Sequence, residues 1–401
     1  MRPTVAIIGA GPGGATAAIE LGRRGLCDVV LLDKDTFPRD KTCGSGLSPN
    51  ALTMLDELGL GSEVREKGYA VGGLRLITPG KREMILRSEG AAVILLRKHL
   101  DNLLVEKAQE SGARLRTGFH ARALIEEHGR VVGVRSSTEE VRADYVLCAD
   151  GAHSIFSRDP RPKRTISTLM GWWEGMEFEP HLIEMIFDRN LAPLYGWMFP
   201  ETDDRVNIGI CIDGEEDDGT KQRRNVREVF QRFLDDYYGD RIKGARQLGR
   251  WKGHPISYTT WIDHAGAPGV IQLGEAARIT HNATGEGIYQ AMQSGRYAAD
   301  AVARILTGDA TEGEAQRAYT WICRRRFTTS FLVGHLVRGL VKTPLLDQIA
   351  GIYNDERIRG RVSRALSFVL AGSAIPETAA PAAPATPQKP APAGVEASAP
   401  C

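Results

Sequence analysis

The stretch Val5–Asp35, VAIIGAGPGGATAAIELGRRGLCDVVLLDKD, constrains this chain more than any other. The apolar run Val5–Ile8 reads as a buried parallel strand. It stops at Gly9, Gly11 and Gly14, in G-x-G-x-x-G spacing, and a helical pattern follows at once over Ala15–Leu21. A second apolar run, Val29–Leu32, ends on Asp33, 19 residues after Gly14. Strand, glycine turn, helix, strand and acid form the context a dinucleotide fingerprint requires. Gly9 permits the tight turn, Gly11 lets the backbone approach a pyrophosphate, and Gly14 lets helix and strand pack closely. The helix N-terminus attracts the anion, and Asp33 is placed to accept hydrogen bonds from a ribose diol. A glycine turn alone is often only structural; the flanking strands and the acid favour a bound dinucleotide.

At 401 residues the chain has room for two or three domains. With 42% hydrophobic and 25% charged residues it reads as a soluble globular protein. The net charge of +1 supplies no global field for a nucleic-acid partner, and none is expected. No run of about 18 apolar residues spans a bilayer, and no secretory signal precedes the first strand. The six cysteines show no C-x-x-C pair or disulfide framework, and no metal site is expected. Cys27, Cys148, Cys211 and Cys323 lie in or beside apolar segments and read as small buried hydrophobes. The expected compartment is the reducing cytoplasm.

Phe37–Pro49 reads as a long loop and Asn50–Leu58 as a helix stopped by Gly59. Strands are expected within Gly72–Ile85, an amphipathic helix over Arg97–Glu110, and short strands from Arg114 to Arg135. Tyr145–Ala149 is again a buried strand, ending in Asp150-Gly151. Residues 166–212 read as mainly antiparallel, followed by a helix near Val226–Tyr238 and a strand at Gly269–Leu273. The expected fold class is α/β: a Rossmann-like domain over 1–165 with part of a substrate domain at 60–100. An inserted antiparallel β-sheet substrate domain takes 166–265, the first domain returns over 266–310, and a C-terminal helical region takes 311–373. A membrane-surface helix is the competing reading of that region, because Arg and Lys interleave with Leu and Val. The Ala/Pro-rich tail, 374–401, cannot bury enough surface to order itself.

Further motifs now agree. FPRDKTCGSGLSP carries Lys41, Cys43 and Gly44; ADGAHS carries Asp150 and Gly151; GEAARITHNATGEGI carries Gly274, Glu275, Gly285, Gly287 and Ile288; YGWMFP carries Tyr195, Trp197 and Phe199. With the fingerprint, the sequence resembles the geranylgeranyl reductase family of FAD enzymes, within the wider para-hydroxybenzoate hydroxylase-like group. The resemblance implies FAD as bound cofactor and NAD(P)H as a transient donor, since no second nucleotide fingerprint exists. It implies FAD contacts at Gly9, Gly11, Gly14, Asp33, Lys41, Cys43, Gly44, Arg97, Asp150, Gly151, Gly274, Glu275, Gly285, Gly287 and Ile288.

Residue chemistry adds roles. Cys43, behind Lys41 in a glycine-rich loop, is a candidate proton donor to a carbanion; simple packing is the alternative. Tyr195 and Trp197 share a strand face and, with Phe199, either wall an apolar substrate channel or serve as core aromatics. The chain departs from the family at Glu275, where Asp is usual, at Arg278, where a small residue is usual, and at Thr280-His281-Asn282, which replaces a flavin-facing Pro. His281 could act there as acid or base, or could simply face solvent. Those polar replacements point toward oxygen insertion from O₂ into an apolar, prenylated quinone- or quinolone-like molecule. Reduction of prenyl C=C bonds is the alternative.

Overall fold

The computed structural model describes residues 2–214, 225–263, 265–353 and 360. The expected tail at 374–401, and the C-terminal helical region beyond Tyr353 apart from residue 360, lie outside the described residues.

The expected α/β class is observed. Six strands form a sheet in the order Gly266–Ala267, Val270–Gln272, Tyr145–Cys148, Thr4–Ile8, Asp28–Leu32 and Arg114–Arg116. Its strands are parallel except for the edge pair Gly266–Ala267 with Val270–Gln272. Four of the five residues in each of the strands Thr4–Ile8 and Asp28–Leu32 are buried or nearly so, as strands covered on both faces must be. The helices Pro12–Arg24, Arg97–Glu110 and Ile288–Leu306 share one apolar core with this sheet. On the other face lies the three-stranded sheet of Ala123–Glu127, Arg130–Arg135 and Glu140–Arg142.

A second, nine-stranded sheet is built mainly from antiparallel pairs. Its long strands are Tyr69–Ile77, Glu83–Ile94, Arg164–Glu174 and Arg205–Asp213. The pairing of Leu182–Ile186 with Tyr69–Ile77 is parallel, a departure from the antiparallel expectation. The strand Lys252–Tyr258 pairs along Arg164–Glu174 and brings residues 252–258 back toward the first sheet. Helix Val226–Ile242 covers one face of this sheet through Phe230, Phe233, Leu234 and Tyr238. Two helices, Glu312–Val341 and Leu345–Tyr353, follow the return to the first sheet. The first opens with a capping box between Thr311 and Glu314, and Pro344 separates the two. No helix among the described residues is long and apolar enough to cross a membrane.

Candidate active site

Strand Thr4–Ile8 delivers the chain to Gly9, whose φ of 95° and close approach to Ala149 exclude a side chain: a Cβ would lie 2.5 Å from the Ala149 carbonyl oxygen. At Gly14 a Cβ would lie 1.9 Å from the Gly9 carbonyl oxygen, so helix and strand approach this closely only because residue 14 is glycine. Helix Pro12–Arg24 starts at Gly11 with no side-chain cap and no acid in its first turn, leaving its first amides for an anion. The buried carboxylate of Asp33 accepts from the Ala10 amide at 2.8 Å and from the Asp35 amide at 3.0 Å. Its remaining lone pairs suit a ribose diol.

Arg97, the first residue of its helix, is buried and pairs side-on with Asp101 through two hydrogen bonds of 2.7 Å. Arg39 holds the same carboxylate at 3.0 Å and approaches Asp33 at 3.6 Å. A Cβ on Gly11 would point at both guanidinium groups, 3.7 Å from Arg97 and 3.9 Å from Arg39. Two cations fixed by one buried acid, facing a bare glycine and free helical amides, fit a pyrophosphate. The residues present therefore suit FAD. Sequence reasoning missed Arg39 and Asp101; the four-residue spacing from Arg97 to Asp101 on one helix face was the available signal.

One cavity of about 1130 Å³ joins the fingerprint to the second sheet. Lys41, Cys43, Gly44, Asp150, Gly151, Gly274, Glu275, Gly285, Gly287, Ile288, Tyr195, Trp197 and Phe199 all line it, together with Gly9, Gly11, Asp33 and Arg97. Gly14 sits behind the turn and does not line it. The Cys43 loop lies against the aromatic wall: a Cβ on Gly44 would meet the Phe199 ring at 3.3 Å. The thiol accepts from the Ser45 amide at 3.3 Å. The wall is a run of neighbouring rings, Tyr195 to Trp197 at 6.3 Å and Trp197 to Phe199 at 6.2 Å. Trp197 donates to Asn207 at 2.8 Å, and Tyr195 donates to the Thr284 carbonyl, bracing the glycine-rich turn.

Polar groups gather where the Cys43 loop meets strand Lys252–Tyr258. Lys41 reaches His254, a residue sequence reasoning missed, and burial pulls its ammonium below the ordinary range. Glu275 accepts from the Ser257 amide at 2.8 Å; burial pushes its carboxyl up, and Lys41 opposes that shift. Burial also pushes Asp150 up to about 6. Glu286, likewise unforeseen, lines the cavity with its carboxyl raised by burial and bonded by Gln290 at 3.0 Å.

The departures at 278–282 take a different place from the one expected. Arg278 turns away from the cavity and donates to the Arg161 and Pro162 carbonyls at 2.8 and 3.2 Å. Of the following three residues only Thr280 lines the cavity. The expected acid or base at His281 is corrected here: the ring is 3% exposed and packs edge-on against Phe331. Its Nδ1 accepts from the Thr284 amide at 3.1 Å, and burial lowers its pKa to about 4. A Cβ on Gly334 of helix Glu312–Val341 would meet Asn282 at 2.5 Å and His281 at 2.8 Å, so both side chains face that helix. His281 shapes the turn and offers no proton to the cavity.

Comparison with known proteins agrees with this geometry. Residues 2–329 match the FAD binding domain family. The menaquinone reductase of Mycobacterium tuberculosis is 30% identical over 74% of this chain and 75% of its own length. The digeranylgeranylglycerophospholipid reductase of Thermoplasma acidophilum is 27% identical over 88% of this chain and 91% of its own. The crystal structure of a geranylgeranyl bacteriochlorophyll reductase-like protein from Thermoplasma acidophilum shares the fold, with a TM-score of 0.79 at 23% identity, over 91% of this chain and 96% of that one. The fingerprint, the cavity it opens into and these relatives together make the chain an FAD-dependent oxidoreductase belonging to the geranylgeranyl reductase family.

Proposed function

We propose that the enzyme reduces carbon–carbon double bonds in the isoprenoid chain of a lipid or quinone, with NAD(P)H as the donor to FAD. The observation that carries this reading is the apolar part of the cavity's lining. That lining includes the aromatic wall and the aliphatic side chains of Leu74, Ile85, Met170 and Met185, together with Tyr353. Such a lining suits a long apolar chain and offers few groups to orient a polar one. The reductase relatives support the same reading. The expectation of oxygen insertion rested on polar residues at the flavin face, and two of those three side chains point elsewhere.

FAD, once bound and reduced by NAD(P)H, would supply the hydride. The chain's own residues do the rest. Gly11, the amides after it, Arg39 and Arg97 hold the phosphates, and Asp33 holds the ribose. Lys41, Glu275 and the 284–287 turn border the reacting end. Reduction adds a hydride to one alkene carbon and a proton to the other. Cys43 Sγ, in the same cavity lining as the aromatic wall, passes that proton, and the Glu286 carboxyl, which lines the same cavity, resupplies it. The aromatic wall keeps bulk water from the reacting carbons.

The test is anaerobic. The NADPH-reduced enzyme is mixed with an isoprenoid lipid that carries no quinone ring, so that only its C=C bonds can accept the electrons, and flavin absorbance is followed by stopped flow. Reoxidation without oxygen, at a rate that rises with the lipid's concentration, is the expected result. Reoxidation that waits for O₂ overturns the reading.

A further inference from the structure

Helix Glu312–Val341 has two apolar faces. Its inward face, Ala315, Tyr319, Cys323, Phe327, Phe331 and Val341, is buried against the body of the protein. Its outward face carries Leu332, Leu336 and Leu340, which are 50%, 67% and 43% exposed. These residues recur every four positions and form one stripe. Leu345 and Ile352 of the next helix and Trp321 are also exposed. A surface helix of a globular protein ordinarily keeps one apolar face and one polar face. Scattered exposed leucines need no explanation, but a continuous stripe does.

The charges along the stripe have one sign. From Ala315 to Leu346 the chain contains no Asp or Glu, and six Arg or Lys. Arg324 and Arg338 pair with Asp263 and Asp213, while Arg325 and Lys342 are exposed. Arg325 lies over the Trp321 ring at 5.3 Å, and Arg324 over the exposed Trp261 ring at 4.6 Å. Leucines beside outward cations and half-exposed tryptophans are the composition that lies in a bilayer interface. The net charge of +1 hides this, because the acids are placed elsewhere.

We propose that the outward faces of Glu312–Val341 and Leu345–Tyr353 dock on an anionic lipid surface, so that an apolar chain passes from bilayer to cavity without crossing water. Helix Leu345–Tyr353 joins the two: Leu345 and Ile352 face outward, while Tyr353 is buried and lines the cavity. The reason for docking rests on the proposed isoprenoid substrate; the docking itself is measured without turnover.

The experiment is flotation of the full-length, FAD-loaded protein with phosphatidylcholine vesicles, with and without phosphatidylglycerol. The protein floats with the anionic vesicles and is partly released by salt. Leu336→Asp lowers the vesicle partition by roughly tenfold or more, the scale of one leucine withdrawn from an apolar phase. Arg325→Glu with Lys342→Glu lowers it on anionic vesicles only. NADPH-driven reduction of a detergent-solubilised prenyl substrate stays unchanged in Leu336→Asp, which shows that the variant is folded. Absence of flotation, or flotation indifferent to Leu336→Asp, overturns the proposal. So does a wild-type dimer that Leu336→Asp splits, since the face then belongs to a second copy. Flotation without any anaerobic prenyl reduction keeps the docking and removes the proposed function.

Discussion

Lys41 Nζ lies 2.9 Å from His254 Nε2, a buried ammonium donating to an imidazole that must stay neutral to accept. Burial, and then the Lys41 charge itself, push His254 down to about 3. The bond ties the Cys43 loop to strand Lys252–Tyr258, the strand whose Ser257 amide holds Glu275. Three polar groups of the cavity are thus fixed by one strand of the second sheet. Neutral His254 also carries an acid sensitivity. Its unfolded form takes up a proton near pH 6.5 that the folded form refuses, so stability falls as pH drops below that value.

His281 gives the cleaner test of this effect because it is buried and does not line the cavity. Its folded pKa of about 4 lies below the unfolded value of 6.5, so its contribution is lost as pH falls from 6.5 toward 4. His281→Phe lowers stability at neutral pH by removing the acceptor of the Ala283 and Thr284 amides. Its deficit relative to wild type narrows by about 1.4 kcal/mol between pH 7.5 and 5.5. Urea denaturation of both proteins at the two pH values measures it.

Gly11 and Gly14 separate binding from folding. Gly14→Ala places a methyl 1.9 Å from a backbone oxygen and destabilises the protein by about 3 kcal/mol or more. Gly11→Ala meets nothing closer than 3.7 Å, at the Arg97 guanidinium, and its φ of −74° suits alanine. The Gly11 variant keeps the apoprotein Tm and loses FAD affinity; the Gly14 variant loses both. Apoprotein melting and FAD titration distinguish them.

Cys43→Ala lowers prenyl reduction by roughly 10²-fold, the usual scale for loss of one general acid. Glu286→Gln lowers it less, because water can resupply the thiol. In both variants reduction of the bound FAD by NADPH proceeds at the wild-type rate. Stopped-flow measurement of the two half-reactions separates these effects.

Leu74→Trp narrows the cavity at one of its aliphatic lining residues. Reduction of a short prenyl chain persists, while KM for a long chain rises by roughly tenfold, the worth of about two methylenes denied burial. Steady-state kinetics over a chain-length series measures it.

The parts of the site that sequence revealed are those set by local chemistry. The G-x-G-x-x-G turn, the amphipathic period of Arg97–Glu110 and the apolar strands Thr4–Ile8 and Tyr145–Cys148 need only neighbouring residues to be recognised. His254 stayed hidden because its strand contains Pro255, which argues against a strand; Pro is tolerated there because Lys252–Tyr258 pairs on one side only. Arg39 stayed hidden because its meaning is a contact with Asp101, on a helix 62 residues further along the chain. His281 misled for the opposite reason. A titratable residue in a flavin motif suggests chemistry, and only the packing of Phe331 and Gly334 against it shows a ring that braces a turn.

The central claim is that hydrogen, and not oxygen, enters the substrate. The most direct measurement is the mass of the product formed from NADPH and a prenylated quinone under ¹⁸O₂. A prenyl chain two hydrogens heavier and free of ¹⁸O is the predicted result. A product carrying ¹⁸O, with its double bonds hydroxylated or epoxidised, contradicts the account.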